Sequence, residues 1–145
     1  MENKDLEAAK RMLKEKNLTI AIVKQGEVLF ESTSHGILGF LQAIEKLRDE
    51  MCGSSVADKV VGKAAALLCA YARVKAVYAQ TLSEKARETL REHRIYHEED
   101  ILVKRILAAN KNETCPFEKL ATELTNPAEA YIKIKAFQEH LKTSG

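Results

Sequence analysis

Apolar residues recur at helical spacing in the first part of the chain, and the pattern then changes to that of short strands. Residues 3–16 place apolar side chains three and four positions apart among charged ones, which predicts an amphipathic helix. Segments 18–24 and 28–32 are short and rich in β-branched residues, and Gly26 lies between them, so they predict a β-hairpin. An apolar face over about four turns then predicts a second helix that ends at Gly53.

The next segment, residues 56–72, carries apolar side chains around most of a helical circumference, which predicts a third helix buried on nearly all sides. Ser55 stands at the N-cap position of this helix, and Asp58 follows three residues later, as in a capping box. The exception to the apolar surface is a stripe of Lys59, Gly62, Lys63, Ala66 and Ala70. The small residues of this stripe would let another backbone or a ligand approach closely.

The pattern beyond residue 72 alternates between strands and helices. Residues 74–80 predict a strand, and Ser83 is placed to cap the helix that follows it. Residues 95–97 predict a short strand, whereas residues 101–109 fit a strand or a helix equally well. The order α-β-β-α-α-β-α-β, with helical segments after it, predicts a mixed sheet covered by helices.

Two helix starts are indicated near the end of the chain. A polar loop over residues 110–113 precedes Cys115-Pro116, which opens a short helix, and Asn126-Pro127 opens the last one. Proline is favoured at the first helical position, and asparagine is a good N-cap.

Composition and charge narrow the class of protein. The 145 residues fit one domain, residues 1–145, and the charged residues, 30% of the chain, nearly cancel to a net charge of +2. No clustered basic face indicates nucleic-acid binding, and no apolar run approaches the roughly 20 residues that span a membrane. The three cysteines form no CxxC pair, so we expect a cytoplasmic protein without a disulfide framework.

Three strings carry a resemblance to a known family. They are DKVVGKAAALL at 58–68, VYA at 77–79 and CPFE at 115–118. In order and spacing, over most of residues 18–140, the chain resembles a family of small bacterial and archaeal proteins of uncharacterised function. The resemblance implies a cytidine-deaminase-like fold, a three-layer α/β architecture whose mixed sheet has about four to five strands.

The zinc-binding pattern of catalytic deaminases does not accompany this resemblance. Such enzymes need a His or Cys at the start of the central helix, a Glu two residues later, and Pro-Cys-x-x-Cys after the next strand. Here the predicted central helix begins with Asp58-Lys59-Val60, and residues 82–86 after the strand read LSEKA. One carboxylate does not hold zinc, so we expect no metal, no cofactor and no zinc-dependent deamination.

Three residues are candidates for catalysis. Asp58 is either a capping acid stabilised by the helix dipole or a pocket acid at the position of the zinc ligand. Lys63, beside Gly62, is either a solvated surface lysine or a desolvated base or nucleophile. Cys115 is either a small buried hydrophobe or a thiol whose pKa is lowered at a helix N-terminus.

Four further residues are candidates for ligand binding: Lys59, Gly62, Ser83 and Glu118. Lys59 and Lys63 lie one turn apart in the predicted helix, so two ammonium groups beside Gly62 would attract an anion; the alternative is that both are solvated. Ser83 lies at the carboxyl end of a strand, where backbone N–H groups suit a phosphate or carboxylate, or it is an N-cap only.

Two functions follow from these candidates. The first is a protein that binds a small nucleoside-like or anionic metabolite on the deaminase-like scaffold. The second is a non-catalytic regulatory or structural module that acts through a homodimer or another partner. Convergence of the candidate residues in one concave pocket would favour the first function, and scatter over exposed faces would favour the second.

Overall fold

A five-stranded mixed sheet forms the middle layer of the protein. The computed structural model describes residues 3–108 and 113–144. Its strands are β1 (Ile20–Lys24), β2 (Glu27–Ser32), β3 (Ser55–Val61), β4 (Ala76–Ser83) and β5 (Tyr96–Val103). Their order in the sheet is β2-β1-β3-β4-β5. The predicted hairpin is confirmed, with Gln25 and Gly26 both at positive φ in its turn.

Helices cover both faces of this sheet. They are α1 (Lys4–Glu15), α2 (Ile37–Leu47), α3 (Lys63–Ala72), α4 (Glu84–Glu92), α5 (Pro116–Ala121) and α6 (Pro127–Ser144), with a short 3-10 helix at Arg48–Met51. The apolar stripe of α1 packs on one face of the sheet against Ala57, Ala76 and Tyr78. The larger core, which includes residues of α2, α3, α4 and α6, lies on the other face. The expected three-layer α/β fold is therefore confirmed.

The strand directions place the starts of two helices at one edge. β1 is antiparallel to β2 and β3, whereas β3, β4 and β5 are parallel to one another. The carboxyl ends of β3 and β4 therefore lie side by side, and α3 and α4 begin directly after them. Open α/β sheets commonly bind ligands outside this edge.

The prediction of one helix over residues 56–72 is wrong. This segment contains the central strand β3 and then α3, separated by Gly62 alone. A parallel strand that is covered on both faces is apolar almost throughout, so its pattern resembles that of a buried helix. Because Ser55 and Asp58 lie on a strand, the predicted capping box does not exist.

The ambiguity at residues 101–109 is resolved in part. β5 is longer than the predicted strand at 95–97 and extends to Val103, and Leu107 then forms an isolated bridge with Thr114. Residue 109 and most of the predicted loop at 110–113 lie outside the described residues. Across the part of the chain that the structure describes, no helix is long and apolar enough to cross a membrane.

Candidate functional site

The N-terminus of α3 is closed by a carboxylate from α5. The Glu118 side chain accepts hydrogen bonds from the backbone N–H groups of Lys63, at 2.6 Å, and Ala64, at 3.2 Å. Burial raises the pKa of the Glu118 carboxyl, and the two N–H donors partly offset that effect. The position at which an external anion would meet the helix N-terminus is thus held by a group of the protein itself.

Gly62 makes room for this carboxylate. A Cβ atom at residue 62 would lie 2.3 Å from Oε1 of Glu118, far inside van der Waals contact. The φ of Gly62 is −100°, which any residue adopts, so space rather than backbone conformation favours glycine here. The sequence placed Gly62 in a small-residue stripe, and the structure shows that the group packed against it is Glu118.

The Lys63 ammonium group lies beside the same helix. Its Nζ atom donates a hydrogen bond to the Thr122 carbonyl oxygen at 2.8 Å. It also lines a small cavity of about 160 Å³, together with Lys85, Glu88 and Thr125. The Lys63 amine therefore has a polar partner, which is a carbonyl just beyond α5 and neither Asp58 nor Ser83.

Ser83 and Cys115 stand at the starts of two helices. Ser83 is buried, and its Oγ accepts a hydrogen bond from the Ala86 N–H at 3.1 Å, so its predicted N-cap role is confirmed. Cys115 precedes the six-residue helix α5, is half-buried, and its side chain makes no capping hydrogen bond. Four residues come together at the N-terminus of α3, and we call them the Glu118 cluster: Gly62, Lys63, Glu118 and Thr122.

Asp58 lies in the middle of the sheet. It is opposite Ile20 of β1 and Ala79 of β4, and only 8% of its surface is exposed. Burial raises the pKa of its carboxyl from 3.8 to about 7, although Oδ1 accepts a hydrogen bond from the Val60 N–H at 3.2 Å. Ala57, the preceding residue on β3, packs against α1, so Asp58 faces the α3 layer on the other side of the sheet. Burial raises the pKa of the Cys69 thiol on α3, and the Asp58 charge raises it further.

Lys59 points away from the Glu118 cluster. Its Nζ donates a hydrogen bond to the Asn17 side chain at 3.0 Å, at the end of α1. There it borders a depression of about 210 Å³ together with Lys14 and Asp100. The prediction that Lys59 and Lys63 share one helical face is wrong, because Lys59 belongs to β3 and only Lys63 belongs to α3.

A second depression, a wide cleft, was not predicted from the sequence. It has a volume of about 920 Å³ and lies at the opposite end of α3 from the Glu118 cluster, among α2, the 3-10 helix, α3 and α6. Its lining includes Glu45, Arg48, Tyr71, Arg73, Tyr131 and Lys135. We call it the tyrosine cleft. Its residues come from three distant segments, so no local motif announces them.

Two tyrosines and an ion pair give the tyrosine cleft its shape. The rings of Tyr71 and Tyr131 stack with centroids 4.4 Å apart and planes inclined by 8°, and this contact joins α3 to α6. Lys135 lies 5.7 Å from the centre of the Tyr131 ring and 3.2 Å from a Glu45 oxygen. The hydrogen bond to Glu45 raises the pKa of Lys135. The surface of the tyrosine cleft thus combines aromatic area with charged groups of both signs, the acidic ones being Glu45 and Asp49.

The residues at the starts of α3 and α4 are not the zinc ligands of a deaminase. α3 begins with Gly62-Lys63 and α4 follows Ser83, so neither helix start carries a thiolate or imidazole. Among residues 3–108 and 113–144, no group of three or more His, Cys, Asp and Glu side chains is arranged to hold a metal ion.

The layered mixed sheet places the protein in the cytidine-deaminase-like class of folds. It is similar to the dCMP deaminase of cyanophage S-TIM5 with a TM-score of 0.52 and 17% identity, over 68% of this chain and 99% of that one. It is also similar to Acinetobacter baumannii RibD with a TM-score of 0.50 and 16% identity, over 83% of this chain but 36% of RibD. At these identities the likeness concerns the fold alone.

The family itself follows from a match along nearly the whole chain. Residues 8–138 match the model of the TM1506 family, described as a domain of unknown function (DUF1893), and the chain belongs to this family. The crystal structure of the DUF1893 protein TM1506 from Thermotoga maritima has a TM-score of 0.86 and 27% identity, over 94% of this chain and 91% of that one. No protein with a curated description matches the chain. The resemblance seen in the sequence is confirmed.

Proposed function

We propose that this protein binds a small anionic or nucleoside-like metabolite in the tyrosine cleft and does not carry out zinc-dependent deamination. The observation that carries the proposal is the cleft itself, whose volume of about 920 Å³ suits a metabolite. Aromatic area from Tyr71 supports contact with a ring, and nearby cationic side chains support contact with an anion. A cytoplasmic location, where such metabolites are abundant, belongs to the same proposal.

The Glu118 cluster is the second place to which a ligand could be assigned. Its helix N-terminus is already capped by Glu118, and the cavity beside Lys63 measures about 160 Å³. That volume is smaller than the roughly 300 Å³ at which ligand pockets begin. The geometry therefore favours the tyrosine cleft, with Glu118 serving to dock α5 on α3.

A thermal-shift screen with nucleosides, nucleotides and simple anions tests the proposal and distinguishes the two sites. A ligand at about 100 times its dissociation constant adds about 2.7 kcal/mol of stability, which is easily detected. The Tyr71→Ala variant should lose the shift, because it removes ring area from the cleft. The Lys63→Met variant, at the other end of the same helix, is the matched control and should keep it. Loss of the shift in Lys63→Met alone would assign the ligand to the Glu118 cluster instead.

The alternative function is a non-catalytic regulatory or structural module that acts as a homodimer, and one observation favours it. The edge strand β5 leaves Tyr96 53%, Ile101 55% and Leu102 39% exposed. Exposed apolar residues on an edge strand are suited to pairing with a second chain. Light scattering at high micromolar concentration should then report a dimer that Ile101→Lys disrupts. A monomer at that concentration would contradict this alternative.

A further inference from the structure

Two arginines of the tyrosine cleft occupy backbone positions that favour glycine. Arg48 follows α2 with φ 49° and ψ −121°, and Arg73 ends α3 in the left-handed region with φ 59° and ψ 41°. Residues with a Cβ atom rarely adopt such conformations, and holding them there costs stability. Glycine is the usual residue at the left-handed end of a helix.

Neither arginine has a partner that would explain its presence. Within residues 3–108 and 113–144, both side chains are exposed, and neither guanidinium forms an ion pair or a hydrogen bond with another described residue. The third cation of the cleft, Lys135, is already paired with Glu45. Arg48 and Arg73 are thus the two cationic groups of the cleft that stay available to a ligand.

We infer that Arg48 and Arg73 hold the phosphate of a nucleoside monophosphate whose base lies against Tyr71. This inference rests on the proposed function and names the class of ligand. Guanidinium groups match phosphate geometry with paired N–H donors. Two guanidinium groups carry two positive charges, so they suit a ligand that is a phosphate dianion better than a ligand with a single carboxylate. Tyr71 is 37% exposed at the cleft and supplies a ring for the base, whereas Lys135 already lies over the ring of Tyr131.

The backbone positions make the inference testable, because substitution by glycine separates stability from binding. Arg48→Gly and Arg73→Gly should each raise the melting temperature of the ligand-free protein by about 2–5 °C, since they relieve the positive-φ conformation. The same substitutions should weaken nucleotide binding at least tenfold, because each removes a charge-assisted contact to phosphate. A variant that gains stability and loses binding cannot have lost binding through misfolding.

Arg94 provides the matched control. It also has a positive φ, 58°, it follows the end of α4, and it does not line the tyrosine cleft. Arg94→Gly should therefore raise the melting temperature as the cleft variants do and leave the dissociation constant for the nucleotide unchanged within about twofold.

The experiment is calorimetric titration of wild type and the three variants with AMP, CMP, GMP and UMP, with the corresponding nucleosides, and with inorganic phosphate. We expect at least one monophosphate to bind, with its nucleoside and phosphate each at least about tenfold weaker. If none of the four monophosphates binds at millimolar concentration, the inference is overturned. The proposed function then stands only if a nucleoside or another anion binds in a manner sensitive to Tyr71→Ala. If a monophosphate binds equally well to the Arg48→Gly and Arg73→Gly variants, the arginine assignment is overturned while binding in the cleft survives.

Discussion

Asp58 carries a carboxyl group whose ionisation is coupled to the stability of the whole sheet. Burial raises its pKa from 3.8 to about 7, so folding favours the protonated form. A raised acid pKa contributes stability that is fully present below about pH 4 and is lost as the pH rises through about 7. The loss over that window is of the order of 4 kcal/mol.

The Asp58→Asn variant removes this titration while keeping a side chain of similar size. We expect its free energy of unfolding to match the wild type within about 1 kcal/mol near pH 4 and to exceed it at pH 8, because the amide carries no charge to bury. Urea unfolding at several pH values measures the difference. Glu118, whose pKa is also raised by burial, leaves some residual pH dependence in both proteins. A constant difference between the two proteins from pH 4 to pH 8 would contradict this prediction.

Gly62 and Glu118 should behave as one unit. In Gly62→Ala the new methyl group would collide with the Glu118 carboxylate and displace it from the N–H groups of Lys63 and Ala64. Losing this cap costs about 1–2 kcal/mol. In a Glu118→Ala background the same substitution should cost little, because the carboxylate is already gone. Equal costs in the two backgrounds, measured by a double-mutant cycle, would show that the two residues are not coupled.

At the scale of elements, the helix starts are where local sequence is most informative. Ser83 caps α4, and Asn126 caps α6 by accepting a hydrogen bond from the Glu129 N–H at 3.0 Å. Both were recognisable from residue type and spacing, because a capping bond involves only neighbours in the chain.

The two caps differ in burial, and their removal should differ in cost. Ser83 is 2% exposed, whereas Asn126 is exposed, so water replaces the lost hydrogen bond only at α6. We expect Ser83→Ala to lower the free energy of unfolding by about 1–2 kcal/mol and Asn126→Ala by about 0.5–1 kcal/mol. Thermal or urea unfolding of both variants measures this ranking, and the opposite ranking would refute the argument from burial.

At the scale of the whole molecule, the sequence supported the fold class better than the site. α1 has one polar face, so periodicity finds it. The hairpin was found from its β-branched residues and the turn at Gly26, and α4 from its cap at Ser83. β3 is covered on both faces and is followed by an alanine-rich helix after a single glycine, so the apolar run 56–72 has no internal boundary that periodicity can detect.

The two sites were harder to predict from the sequence than the secondary structure was. The Glu118 cluster was partly predictable, because Gly62, Lys63 and Glu118 were each candidates, but their contact depends on α5 returning to α3 across more than fifty residues. The tyrosine cleft joins Arg48, Arg73 and Tyr131 from three separate elements, and only the tertiary structure brings them together.

The deaminase-like architecture without deaminase ligands leads to a prediction for the intact protein. The purified chain should hold no stoichiometric zinc and should not convert cytidine to uridine, because zinc in such sites needs three protein ligands and the starts of α3 and α4 offer Gly62, Lys63 and Ser83. Elemental analysis after purification without chelators measures the first, and chromatography of a cytidine incubation measures the second. One zinc per chain, or uridine that accumulates in proportion to protein concentration, would show that ligands outside this arrangement assemble a metal centre. A result free of both would agree with the starts of α3 and α4, which carry no thiolate or imidazole to bind zinc.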